Sequence, residues 1–106
     1  MDRSAAPRRV ALVDLDWREA DVMLDLLRAP DLTVALVLGA SARDPGPRLA
    51  ELLGLPRAHE PADLAREILD LALVGSGSPR RDRIERLLAA LGTEVLSPAE
   101  FARGAP

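Results

Sequence analysis

Three carboxylates, Asp14, Asp16 and Glu19, carry the one spacing in this sequence that belongs to a recognisable chemistry. They lie in RVALVDLDWREADVMLDLL, residues 9–27, where an apolar run over 10–13 stops at Asp14 and an amphipathic helix pattern begins three residues later. A strand, a tight turn and a helix in that order can hold a dinucleotide diphosphate. Glycines spaced G-x-G-x-x-G let backbone N–H groups and the positive end of the helix reach the phosphate oxygens. Positions 14, 16 and 19 keep that spacing, with an acid at each. A side chain at the second position obstructs the approach, and a carboxylate adds about 1 kcal/mol of repulsion per close solvated pair of like charges. The sequence therefore predicts that the usual pose is lost, that Asp14 and Asp16 cap the helix, and that Glu19 favours its positive end.

Asp14-x-Asp16 also has the form of a phosphohydrolase nucleophile and acid/base pair working with magnesium, with Ser76 as the later hydroxyl. That mechanism requires a lysine and a second acidic cluster, and the sequence contains no lysine. No catalytic residue and no metal site are expected. A second stretch, Gly75-Ser76-Gly77-Ser78-Pro79-Arg80-Arg81, is a Gly/Ser turn leading into a helix start with two arginines. It suits a phosphate or carboxylate. The alternative is a strand-to-helix turn capped by its serines, with Arg80, Arg81, Arg83 and Arg86 paired to Asp82 and Glu85. Gly39, Ser41 and Arg43 follow the second strand, where NADP-type domains read a 2′-phosphate. Trp17 either packs on the sheet edge or stands out as a binding anchor. His59, the lone histidine, has no partner nearby in sequence and reads as a surface or core residue.

The elements that position these residues alternate. Strands are predicted over 8–13, 32–38, 70–74 and 93–96, with a short additional one, third in order, at 56–60. Helices are predicted over 17–29, with Ala20, Met23, Leu26 and Leu27 on the inner face, over 48–53 before a left-handed Gly54, from Pro61 to about Leu69, and after Pro79, with Ile84, Leu87, Leu88 and Leu91 inward. Ser97 and Glu100 fit a capping box. Strand–helix alternation implies an α/β fold, a small doubly wound parallel sheet of Rossmann-like type with about five strands in the order 3-2-1-4-5. Ligands of such sheets sit at the carboxyl edge, at the switch point between strands one and four. Residues 8–102 form one domain, between a flexible arm over 1–7 and a tail over 103–106.

Composition narrows the function. The 106 residues are 48% hydrophobic and 29% charged, with no cysteine, and all basic side chains are arginine. Thiol, disulfide and lysine chemistry are thereby excluded. A net charge of −3 argues against nucleic acid as a partner. No apolar run approaches the ~20 residues of a membrane span, and the polar N-terminus lacks a signal peptide. A cytoplasmic protein with no membrane contact is expected.

The segments RRVALVDLDWREADVMLDLLRAPDLTVALVLGAS, PRLAELLGLPRAHEPADL and DLALVGSGSPRRDRIERLLAALGTEVLSPAEF together resemble the N-terminal NAD(P)-binding domain of Gfo/Idh/MocA-type oxidoreductases. The resemblance implies a Rossmann fold, with the fingerprint glycines replaced by acids and without the C-terminal catalytic domain of that family. The resulting expectation is a non-catalytic binding or regulatory module without a cofactor. It would act through a protein partner or self-association, as a homo-oligomer whose helices near 22–27 and 84–91 carry surplus leucine. The alternative is an oxidoreductase-like protein or subunit that binds NAD or NADP, or another nucleotide, in an altered pose, using residues 39–43 and 75–81.

Overall fold

The computed structural model describes residues 7–41 and 43–104. The arm expected over 1–7 therefore lies almost wholly outside the described residues. Four strands, β1 (Arg8–Val13), β2 (Leu32–Leu38), β3 (Leu71–Val74) and β4 (Glu94–Leu96), form one parallel sheet in the order β2-β1-β3-β4. This is the predicted order without its outer strand. The stretch expected as that strand keeps one bridge, Arg57 beside Val37, with the Val37 N–H donating to Pro56 O at 3.0 Å and the Ala58 N–H to Val37 O at 2.8 Å. Pro56 supplies no donor and Pro61 turns the chain away, so the ladder cannot extend.

Helices cover both faces. On one side α1 (Ala20–Arg28), α2 (Pro45–Leu53) and α4 (Pro98–Ala102) pack on Val10, Leu12, Val37, Leu71 and Leu73. On the other, α3 (Arg81–Ala90) and a 3-10 helix at Pro61–Arg66 pack on Ala11, Val13, Leu36, Leu38, Ala72 and Val74. Strand alternation divides β1 and β3 between the two cores. In β2 a register shift after Val34, pairing Ala11 with Leu36, adds Ala35 as one extra residue. That bulge sends Leu36 and Leu38 to the α3 side and leaves Val37 on the α1 side.

Helix starts and faces differ in detail from the pattern. Trp17–Glu19 forms a 3-10 turn before α1, and the buried residues of α1 are Val22, Met23 and Leu26, with Leu27 exposed. In α3, Ile84 and Leu88 are fully buried, Leu87 is partly buried, and Leu91 is exposed just past the helix end. A sheet four strands wide covers only the centre of each helix face, so the flanking leucines stay outside. The helix predicted to about Leu69 is the short 3-10 helix ending at Arg66. The left-handed Gly54 cap, at φ 69°, and the Ser97/Glu100 capping box form as predicted.

Leu88→Ala is expected to cost about 2–5 kcal/mol, because it empties a fully enclosed site, whereas Leu91→Ala is expected to stay within about 0.5 kcal/mol. Urea titration of both variants checks this. A second expectation concerns acid. Asp63 accepts hydrogen bonds from the His59 and Glu60 backbone N–H groups, at 2.8 and 3.2 Å, and Glu100 accepts one from the Ser97 N–H at 2.7 Å. The His59 N–H bond chiefly holds the Asp63 carboxyl below its ordinary value, and the Ser97 N–H bond does the same for Glu100. A carboxylate lowered on folding stabilises the fold above its unfolded value and loses that contribution as pH falls through the folded one. The thermal midpoint should therefore drop as pH falls below about 4, and Asp63→Asn should flatten that drop.

Candidate functional site

The carboxyl edge is organised by Asp14. Its φ of 52° is the one positive value at a non-glycine residue among the described residues. Aspartate tolerates this left-handed conformation better than most side chains, so the sharp turn after β1 forms without a glycine. The Asp14 N–H donates to Leu38 O at 2.8 Å, tying the turn to the end of β2. The Asp14 side chain is only 2% exposed and is fully engaged. Arg80 donates to it through Nε, 3.0 Å from Oδ2, and Nη2, 2.8 Å from Oδ1, and Ser78 Oγ donates to Oδ2 at 2.7 Å. This fork geometry is the strong form of an arginine–carboxylate pair. The Asp14 hydrogen bond raises the Arg80 guanidinium above the ordinary arginine range, with burial opposing it and the charges of Asp14 and Asp44 adding to it.

Asp16 and Glu19 close the rest of the turn. Asp16 caps the 3-10 turn by accepting from the Arg18 N–H at 2.8 Å, and Glu19 Oε1 accepts from the Asp16 N–H at 3.1 Å. Glu19 Oε2 accepts from the Ser76 N–H at 3.2 Å and from Ser76 Oγ at 3.1 Å. Asp16 is thus the cap that the sequence indicates, whereas Asp14 turns away from the helix towards Arg80. Gly75 is required sterically, since a Cβ there would collide with the Asp14 carbonyl, and Gly77 lies beside Asp16.

Of the residues read from sequence, Asp14, Asp16, Glu19, Gly75, Ser76, Gly77, Ser78 and Arg80 come together in one cluster. Gly39, Ser41 and Arg43 form a neighbouring loop. There the Ser41 N–H donates to Asp44 at 3.0 Å and the Arg43 N–H donates to Ser41 Oγ at 3.2 Å. Gly39 leaves room for the Pro47 ring. That loop reaches the cluster through the charge of Asp44 near Arg80. His59 is exposed, and Trp17 stands on the surface beside α1. Among the described residues no group of three or more histidines, aspartates or glutamates is placed to hold a metal ion.

The Asp14–Arg80 pair is the feature that sequence reading missed. Arg80 was expected to pair with Asp82 or Glu85. Residues two apart on a helix do not face each other, and it is Arg81 that takes Glu85, at 2.8 Å. The usable signal was topological, because β1 and β3 are neighbours and the residues just past their carboxyl ends must meet. Outside this latch lies a cavity of about 430 Å³, lined by residues 78–83 and Arg86. Arg83 and Arg86 form no ion pair among the described residues.

The β1–α1 turn does not fit a diphosphate in the fingerprint pose. The N–H groups of Asp16 and Arg18 in that turn already donate to the Glu19 and Asp16 carboxylates, and the Ser76 N–H beside it donates to Glu19.

No family model matches this sequence, and no curated protein matches it. Among solved structures the chain is similar to GenD2 from gentamicin A biosynthesis, solved in complex with NAD. The TM-score is 0.70 at 19% identity over 91% of this chain, and the chain spans 28% of the GenD2 chain. The fold is thus Rossmann-like. The expectation of a module without any cofactor is corrected here, because the neighbour that shares the fold is solved with NAD.

The latch makes an asymmetric prediction. Arg80→Met strands a buried carboxylate and is expected to cost about 3–5 kcal/mol. Asp14→Gly removes that charge and suits the left-handed turn, and is expected to cost less than about 2 kcal/mol. Chemical denaturation of the two variants side by side checks the order, and equal losses would contradict burial of the Asp14 carboxylate.

Proposed function

We propose that this chain is a non-catalytic nucleotide-binding module whose ligand phosphates rest against the arginines at the start of α3, away from the acidic β1–α1 turn. The cavity of about 430 Å³ beside Arg80, Arg81, Arg83 and Arg86 carries this reading. It lies at the carboxyl edge, where sheets of this type bind ligands. Arg83 and Arg86 are three residues apart on α3, so their like charges repel by about 0.2–0.5 kcal/mol until an anion sits between them. The positive end of α3 adds to the attraction. Arg80 Nη1 takes no part in the Asp14 fork, so Arg80 can offer a donor without releasing its carboxylate.

The NAD in the GenD2 structure and the resemblance to Gfo/Idh/MocA-type domains make NAD and NADP the first ligands to test. A nicotinamide dinucleotide, when bound, supplies hydride chemistry. The residues of this chain at the edge bind and orient, since Asp14, Ser76, Ser78 and Glu19 are held by one another and by Arg80. Arg83 and Arg86 would meet phosphate oxygens, and Gly39, Ser41 and Arg43 lie on the Asp44 side of Arg80.

Calorimetry with NADH, NADPH and adenosine tests the proposal. Saturable binding of the dinucleotides and none of adenosine is expected. The double variant Arg83→Ala, Arg86→Ala should weaken dinucleotide binding at least ~10-fold, through loss of charge-assisted hydrogen bonds, with an unchanged unfolding midpoint. Binding unaffected by the double substitution, or no saturable heat at millimolar dinucleotide, would overturn it.

A further inference from the structure

On the opposite side of the sheet, the 3-10 turn and α1 leave Trp17, Leu24 and Leu27 exposed. Ala20, Leu24 and Leu27 follow one another at spacings of four and three, a stripe along one side of α1, with Trp17 in the 3-10 turn just before it. Trp17 is 64% exposed, Leu24 47% and, on the adjoining α2, Leu52 75%. Between α1 and α2 these residues line an apolar groove of about 230 Å³ with Met23 and Leu49. Leu27 and Leu53 extend the exposed area. Apolar side chains grouped on one face and rimmed by charged residues are a common form of protein contact surface.

We infer that this face is where two copies of the chain meet, with α1 packed antiparallel against α1 of the partner across a two-fold axis near Leu24. Charge identifies the occupant. Asp21 lies in the first turn of α1 and Arg28 in its last, both exposed and two turns apart on one flank of the stripe. Neither forms an ion pair among the described residues. A flank with an acid at one end and a base at the other meets its own copy, and complements it, when the helices run antiparallel about a two-fold axis. In the antiparallel arrangement Asp21 of each copy comes beside the partner's Arg28, while stripe faces stripe. Asp25 lies about 40° further round the helix from Asp21 and belongs to the rim.

Sedimentation equilibrium on the full chain tests this. A monomer–dimer equilibrium is expected from low to high micromolar concentration. Leu24→Glu should abolish the dimer while leaving the circular dichroism spectrum unchanged, since Leu24 is not part of the core. Asp21→Arg alone and Arg28→Asp alone should each weaken dimerisation several-fold at low salt, and the two together should restore it, because the swapped pair reforms across the axis. Recovery in the double variant supports the antiparallel α1 contact. A wild-type monomer at high micromolar concentration would overturn the inference. So would a Leu24→Glu dimer, single swaps without effect, or a double swap that fails to recover.

Discussion

The bidentate pair between Asp14 and Arg80 is the constraint on which the carboxyl edge of this domain depends. Burying a carboxylate and a guanidinium costs several kcal/mol of lost hydration, which only good geometry and further hydrogen bonds can offset. Both conditions are met, through the two parallel N–H bonds from Arg80 and the Ser78 hydroxyl. The pair fixes more than itself. It draws the turn after β3 onto the turn after β1, so that Glu19 meets Ser76 and the backbone at Gly75 lies too close to Asp14 for any Cβ. The acid at the first fingerprint position is thereby explained. A glycine there would make the turn but would leave Arg80 with nothing to hold.

Architecture was legible in the sequence wherever local pattern and global burial agree. The runs at 10–13, 34–38 and 71–74 are apolar throughout because helices cover both faces of a parallel sheet, and each is a strand. Gly54 and Ser97–Glu100 were legible because capping is a local interaction. Leu27 and Leu91 were misplaced because helical spacing identifies the direction of an apolar face and says little about its width, which the number of strands beneath it decides. The candidate site was legible as two stretches and illegible as a unit. Asp14 and Arg80 stand 66 residues apart, and no spacing rule connects them. Only the order of the strands does. The sequence reading assigned the acids an obstructing role through repulsion. The structure adds a second reason, since their oxygens take up N–H donors of the β1–α1 turn and the Ser76 N–H beside it.

The two remaining surfaces lie on opposite faces of the sheet. The arginines belong to α3 and the exposed apolar stripe to α1, with the strands between them. They share one structural neighbour, the β1–α1 turn, where Asp14 receives Arg80 and Trp17 follows two residues after Leu15. Whether the surfaces influence each other depends on the energy of the latch. Drawing Arg80 away from Asp14 would leave a buried charge unpaired, at about 3–5 kcal/mol, a large share of the 5–15 kcal/mol that typically holds a domain folded. An anion that uses Arg83, Arg86 and the free Nη1 of Arg80 avoids that cost. The favourable mode of binding therefore leaves the turn, and Trp17 with it, where they stand. A ligand on the α3 face and a second copy on the α1 face are thus compatible, and the domain can present both surfaces at once without a conformational change between them.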